Sequence, residues 1–524
     1  MLYEWELLYC LYKQLNGHCI VIMLHSFKKK ENTRMKKYLI SLLLTLVGIT
    51  SIAQQTYIIS VKIEGLKDSL AFLGAYTGKN LFVYDTALVK SDGSFMFTNT
   101  DMPHGVYSII PTIKPFSNFD ILVNEKNIVM KTKMPDLVSN LKIKKSNENK
   151  IFYEYINFLK ANTTKKTPII EKRRIAKDSN NMKLVTQLEK EIIKIDQSVL
   201  DYQKKIANDK SDMLVGKLIK MSVQIDIPKI PKDMKDSNTY KMNYYINNYW
   251  NNVDLSDDRL GKSALFYNQM DNYFMKVIPQ IPDTVIKHID IFLNKLKPNG
   301  FMMKSAIEFL AYSHAKTKLM GMDAIYVHVA DNYILNGKSE WIQKDQIAKL
   351  KTKVDKLRPT LIGKIAPNLI LADSTEVNWI ALDKVKSDFT LLIFWNDDCG
   401  HCKKEIPKYK KLYDSIKKNT DINFEVYAVG TSIENEGWRK FIIEQDLNWI
   451  NVSDFQGIRD NPDKFIRERK TTINSINYRN TYDIFITPIG YLLDKDKKIL
   501  IKQFDAKQLS QLLPILAESN KEKK

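Results

Sequence analysis

The sequence predicts a multidomain protein with a small antiparallel β domain, an all-α middle region and a C-terminal α/β domain. Three observations predict this. Residues 55 to about 140 alternate apolar and polar side chains between short turns. Residues 150 to about 355 hold few glycines and repeat apolar residues at spacings of three and four. From about Gly363 onward, strand-like and helix-like segments alternate. The expected boundaries are a leader over 1–53, a β-rich domain over 54–145, a helical domain over 146–357 and a final domain over 358–524. A chain of 524 residues exceeds one ordinary domain, and 44% apolar content with 18 glycines is normal for globular protein.

The leader comes first. Met35 is followed by Lys36 and Lys37, then by the apolar run from Tyr38 to Ile49, then by small residues ending at Ala53. This is the pattern of a secretory signal cut after Ala53, with Met35 as the true start. The run is shorter than the roughly 20 residues of a membrane span. No cysteine follows it directly, which argues against a lipid anchor. Export to the periplasm or cell envelope is expected. Cys10 and Cys19 leave with the leader, so the mature chain keeps two cysteines, Cys399 and Cys402.

The net charge of +20 comes mostly from lysine. The lysines are spread over what read as helix faces and are not clustered with aromatic or arginine readers. No nucleic-acid partner is expected, although weak attraction to anionic surfaces is compatible with this charge.

In the β-rich part, Tyr57, Ile59, Val61 and Ile63 share one strand face, and Asp92-Gly93 marks a turn. In the helical part, Leu184, Leu188, Ile192, Ile195, Val199, Tyr202 and Ile206 form one stripe of a long amphipathic helix. Tyr244, Tyr245, Tyr249 and Trp250 are either inter-helix packing or the lining of a groove. His288, His314 and His328 lack metal-ligand spacing, so no metal is expected. In the last part, "APNLIL", "FTLLIFW" and "FEVYAVG" read as strands. "GHCKKEIPKYKKLYDSIKK", "GWRKFIIEQD" and "AKQLSQLLPILAE" read as helices, and "IGYLLD" with "KILIKQF" reads as a hairpin.

The chemistry lies in "FWNDDCGHCKKEIPKY". A strand ends at Trp395, a short loop follows, and a helix begins at or just after Cys399. Free N–H groups and the helix dipole there favour a thiolate. Cys402 lies nearly one turn on, close enough for a disulfide, and His401 between them adds positive charge. A zinc site would need two further ligands from a mature chain with no other cysteine. A purely structural disulfide closing so short a loop would restrain little chain. A redox-active pair is the better reading.

These residues resemble the thioredoxin fold, and most closely its TlpA- and ResA-like envelope branch of thiol-disulfide oxidoreductases. The resemblance runs from Leu361 to Leu516. Pro407 matches the helix-kinking proline, and "IGKIAPNLIL" is similar to the family's opening hairpin. The segment "DIFITPIGYLLDKDKKIL" implies that Pro488, preceded by Thr487, is the family's cis-proline beside the disulfide. Gly400-His401 is similar to the dipeptide of protein disulfide isomerase sites. There are departures. Ile393 stands where thioredoxin keeps a buried acid, Asp398 directly precedes Cys399, and Lys497 replaces a hairpin-turn glycine. Residues 461–480 are longer than thioredoxin needs. The pattern Pro-x-x-x-Thr-x-x-Cys of related peroxidases is absent before Cys399.

The resemblance implies an exported thiol-disulfide oxidoreductase with Cys399 and Cys402 as its catalytic, redox-active pair. Gly400, His401, Trp395, Thr487 and Pro488 support it, and Glu405 is the candidate for moving the proton of Cys402. No cofactor or metal is expected. The expected partners are protein clients carrying disulfides or dithiols, with an electron-transfer partner in the membrane or envelope. Reduction of clients is favoured over oxidation or isomerisation. The alternative is an envelope binding or docking protein in which the thioredoxin-like domain is only a scaffold.

Overall fold

The computed structural model describes residues 56–521 except 68, 113–117, 232–235, 316, 318 and 338. The leader, with Met35, Ala53, Cys10 and Cys19, lies outside the described residues.

The first region holds eight strands. They are β1 (Thr56–Glu64), β2 (Leu70–Thr77), β3 (Asn80–Leu88), β4 (Ser94–Thr100), β5 (Gly105–Pro111), β6 (Phe119–Val123), β7 (Asn127–Lys133) and β8 (Lys142–Lys145). They form two four-stranded sheets, ordered β4-β1-β7-β8 and β3-β2-β5-β6. The pairing is antiparallel except between β1 and β7, which run parallel. Alternation in β1 works as expected: Tyr57, Ile59, Val61 and Ile63 are buried in the core these sheets share. At Asp92-Gly93 the turn is closed by the Gly93 N–H donating to Lys90 O at 2.8 Å, with Gly93 at φ +80°.

Helices follow: α1 (Asn147–Asp178), α2 (Met182–Asp209) and α3 (Leu214–Met221), then shorter helices up to α4 (Lys344–Leu357). The stripe read from sequence lies on α2, where Leu188, Ile192 and Ile206 are buried, while Leu184 at the first turn is exposed. Tyr249 and Trp250 prove to be core, packed against Tyr273 and Phe292. Tyr244 instead lines an open groove with Asn248 and Asn252. His288, His314 and His328 each hydrogen-bond a different partner: Tyr273, the Leu310 carbonyl and Asp290.

The β and helical regions are fastened where α1 begins. The Asn149 side chain is wholly buried; its Oδ1 accepts from Leu122 N and its Nδ2 donates to Leu122 O, both at 2.8 Å. That occupies backbone groups of β6 that would otherwise be buried without partners. Next to it, Glu148 accepts from the N–H of Val215 at 2.8 Å and of Leu214 at 3.3 Å, at the start of α3.

The last region is a seven-stranded sheet with helices on it. Its strands are β9 (Ile370–Asp373), β10 (Trp379–Ala381), β11 (Phe389–Trp395), β12 (Phe424–Gly430), β13 (Ile450–Ser453), β14 (Ile489–Asp494) and β15 (Ile499–Lys502). Their order is β10-β9-β13-β12-β11-β14-β15. The central strand β11 is parallel to β12 and antiparallel to β14, and every one of its side chains is buried. That two-sided burial explains its unbroken apolar run. Helices α5 (Gly400–Asn419), α6 (Asn435–Glu444) and α7 (Ala506–Lys521) flank the sheet. The "APNLIL" strand is shorter than read, beginning only at Ile370, and β13 and β10 were not read from the sequence. Both are too short for periodicity to reveal. Residues 461–480 form short helices that bring Tyr478 and Tyr482 against Phe394 of β11, with ring centroids 5.6 and 4.9 Å apart.

Replacing Asn149 by Ala should lower stability by about 2 kcal/mol or more, because two buried backbone groups lose their partners. Urea unfolding checks it: the midpoint should fall while alkylation of Cys399 stays unchanged.

Candidate active site

The site forms where β11 ends and α5 begins. Thr431 fixes that end, its N–H donating to Trp395 O at 2.8 Å. Trp395 is wholly buried, tilted against Phe441 of α6 with centroids 5.2 Å apart. In the loop, the Ser432 hydroxyl donates to the buried Asp397 carboxylate. Gly437 lets that carboxylate come close, since a Cβ there would lie 2.2 Å from Asp397 Oδ2. Asp398 is exposed, with its N–H on Asn396 Oδ1 at 2.7 Å.

Cys399 is the N-cap of α5, half-buried, and its sulfur accepts from the Cys402 N–H at 3.5 Å. Its S–H donates to the Thr487 carbonyl at 3.3 Å. Burial alone would raise the Cys399 pKa. Hydrogen bonds from the Cys402 backbone and side chain, from Thr487 and from the His401 backbone outweigh it and carry the pKa below the ordinary thiol value. His401 acts here through its N–H, and its imidazole is exposed. A carboxylate next in sequence, Asp398, would disfavour the thiolate, yet the net shift is downward. Cys402 is wholly buried, and desolvation pushes its pKa up to about 12.

The Thr487–Pro488 bond is cis, as the resemblance implied. Gly400 is exposed at the first turn of α5, and Pro407 lies inside the same helix. Glu405 stands one turn beyond Cys402. Its Oε1 accepts from Lys408 at 2.5 Å, and its Oε2 is buried without a hydrogen-bond partner among the described residues. Ile393 is wholly buried in β11. Lys497 adopts the left-handed φ of +62° and turns its ammonium inward to Thr390 Oγ1 at 3.1 Å.

Three features went unread in the sequence. Asp397 with Ser432 pins the redox loop; the doubled aspartate before Cys399 was its only local sign. The long segment after β13 is held by buried Asp454, which pairs with Arg479 at 2.5 Å and Arg459 at 3.6 Å. Phe485, Ile486 and Ile433 are exposed, at 76%, 80% and 77%. The first two directly precede Thr487, and Ile433 follows Ser432.

Residues 362–502 match the AhpC/TSA family. The ResA thiol-disulfide oxidoreductase of Bacillus thuringiensis is 28% identical over 149 residues, covering 28% of this chain and 71% of that protein. The C-terminal domain is a thioredoxin-fold thiol-disulfide oxidoreductase domain. Two solved structures are also similar to this chain. A domain of a possible thiol-disulfide isomerase from Cytophaga hutchinsonii is 32% identical, covering 31% of this chain and 96% of that one, with a TM-score of 0.25. A thioredoxin-like protein from Bacteroides caccae is 18% identical, covering 56% of this chain and 98% of that one, with a TM-score of 0.40. Residues 186–358, ahead of the oxidoreductase domain, match a family described as a domain of unknown function, DUF5106.

In the reduced oxidoreductase, alkylation by iodoacetamide should rise with pH through a single ionisation lying below that of an unperturbed cysteine in a reference peptide. It should modify Cys399 alone, because Cys402 stays protonated to well above pH 8. Mass spectrometry of the alkylated peptides checks both points.

Proposed function

We propose that the protein is exported and reduces disulfides in protein clients of the cell envelope. The observation that carries this reading is the contrast between the two sulfurs: a half-exposed Cys399 with a lowered pKa against the Thr487 carbonyl, and a wholly buried Cys402 with a raised one.

The chemistry follows from that contrast. The Cys399 thiolate attacks one sulfur of the client disulfide; the other client sulfur leaves as a thiolate and takes a proton. Cys402 then loses its proton and attacks the Cys399 sulfur. The client's second sulfur departs, and Cys399–Cys402 is left as the disulfide. The client has gained two electrons and two protons; the protein supplies both electrons and the Cys402 proton, and the solvent supplies the other proton. A thiol with a pKa of about 12 needs a proton acceptor for the second step. Glu405, one turn along the same helix with a buried free oxygen, is the candidate. An electron-supplying partner in the membrane or envelope must reduce the disulfide again.

Reduction is favoured over oxidation by the resemblance to the ResA-like envelope branch and by the similarity to the Bacillus ResA proteins. An imidazolium beside Cys399 would stabilise the thiolate further and make the disulfide a stronger oxidant. The exposed Phe485, Ile486 and Ile433 favour unfolded clients that present apolar side chains. Export rests on the signal pattern around Met35 and Ala53. Among the described residues no helix is long and apolar enough to cross a membrane.

Cys402→Ala should hold clients as mixed disulfides on Cys399, visible on non-reducing gels and released by dithiothreitol. Cys399→Ser should hold none and should lose disulfide reduction. A Cys399→Ser variant that reduces clients at the normal rate contradicts the mechanism.

A further inference from the structure

A second site lies in the β region, away from the chemistry described so far. Strands β7 and β8 pair with Lys131 directly opposite Lys142. Like charges facing each other across an antiparallel pair are destabilising. Lys133 and Lys144 line the same cavity, a groove of about 370 Å³ that also includes Glu64 and Asn140. Four lysines therefore line one concave surface with a single carboxylate among them.

That carboxylate is already engaged. Glu64 Oε1 lies 2.5 Å from Lys131 Nζ. Its pKa is held below the usual carboxylate range, first by that hydrogen bond and further by the charges of Lys131, Lys133 and Lys62. Among the described residues, Lys133, Lys142 and Lys144 have no carboxylate within 4.0 Å.

Lysines on an edge strand discourage another strand from adding to the sheet. That accounts for Lys142 and Lys144 on the outer strand β8. On β7, inside the sheet, Glu64 of β1 stands beside Lys133 in register and is ion-paired to Lys131, so one carboxylate serves both lysines. Both strands nevertheless send lysines into one groove.

We propose that this groove binds a compact polyanion carrying phosphate groups. Lysine suits such a ligand as a mobile point charge. The same chemistry is offered by a soluble polyphosphate and by the phosphorylated headgroup of a lipid. The reading is independent of the redox pair.

Two probes separate the sources. Sodium tripolyphosphate is titrated into the purified protein by calorimetry, and vesicles of phosphatidylcholine with phosphatidylglycerol are tested by flotation. The groove variant combines Lys133→Gln, Lys142→Gln and Lys144→Gln. A control combines Lys183→Gln, Lys190→Gln and Lys194→Gln, exposed lysines of α2 that remove the same charge elsewhere. Circular dichroism confirms that both remain folded. Binding of either probe that the groove variant weakens by about tenfold or more, with the control within about twofold, supports the site and names its source. Binding of neither probe overturns it. So does equal weakening by both variants, which would show only the attraction of a positive protein for anions.

Discussion

Two sulfur atoms one helical turn apart differ in their access to water, and the function rests on that difference. Cys399 sits in the half-open N-cap of α5, where N–H groups face it. Cys402 sits inside the core formed by α5, β11 and α7. Desolvation opposes ionisation at both. Only Cys399 has enough donors to overcome it, so one sulfur is ready to attack while the other is held back until a mixed disulfide forms.

Much of the surrounding structure holds that boundary in place. β11 is buried on both faces and ends rigidly at Trp395. Asp397 and Ser432 pin the loop that follows. The additional helices after β13 brace the same strand from its other face, through Tyr478 and Tyr482 on Phe394, and Arg479 ties them to Thr431 O at 3.0 Å. Fully burying an aromatic ring of this size contributes about 1.5–3 kcal/mol. The helical region reaches the same neighbourhood. Lys356 of α4 lies 3.8 Å from Asp483 and over the Phe485 ring, two residues before Thr487. Lys502 of β15 pairs with Asp323 and donates to Thr360 O at 2.8 Å.

The redox strand, its helix and the closing hairpin were legible because each combines strong periodicity with a marker residue: Cys399 at a helix start, Pro407 within the helix, Thr487-Pro488 before β14. The long stripe on α2 was legible for the same reason. Strands β10 and β13 were not, being too short for alternation to stand out. The Asp397–Ser432 contact joins residues 35 apart in sequence, and no local pattern announces it. The position of the His401 side chain was not legible either. Charge can be read from a sequence, but whether an imidazole faces a sulfur or the solvent cannot. The parallel β1–β7 pair was equally hidden, since alternation marks a strand's faces and not its direction.

The most direct test is the equilibrium reduction potential of Cys399–Cys402 in the purified protein. Dithiothreitol or glutathione buffers set the poise, and alkylation reads the thiols. The account predicts a single two-electron couple near thioredoxin's value of about −270 mV, low enough to keep clients reduced. A couple near about −120 mV, the range of a strong disulfide donor, would contradict it.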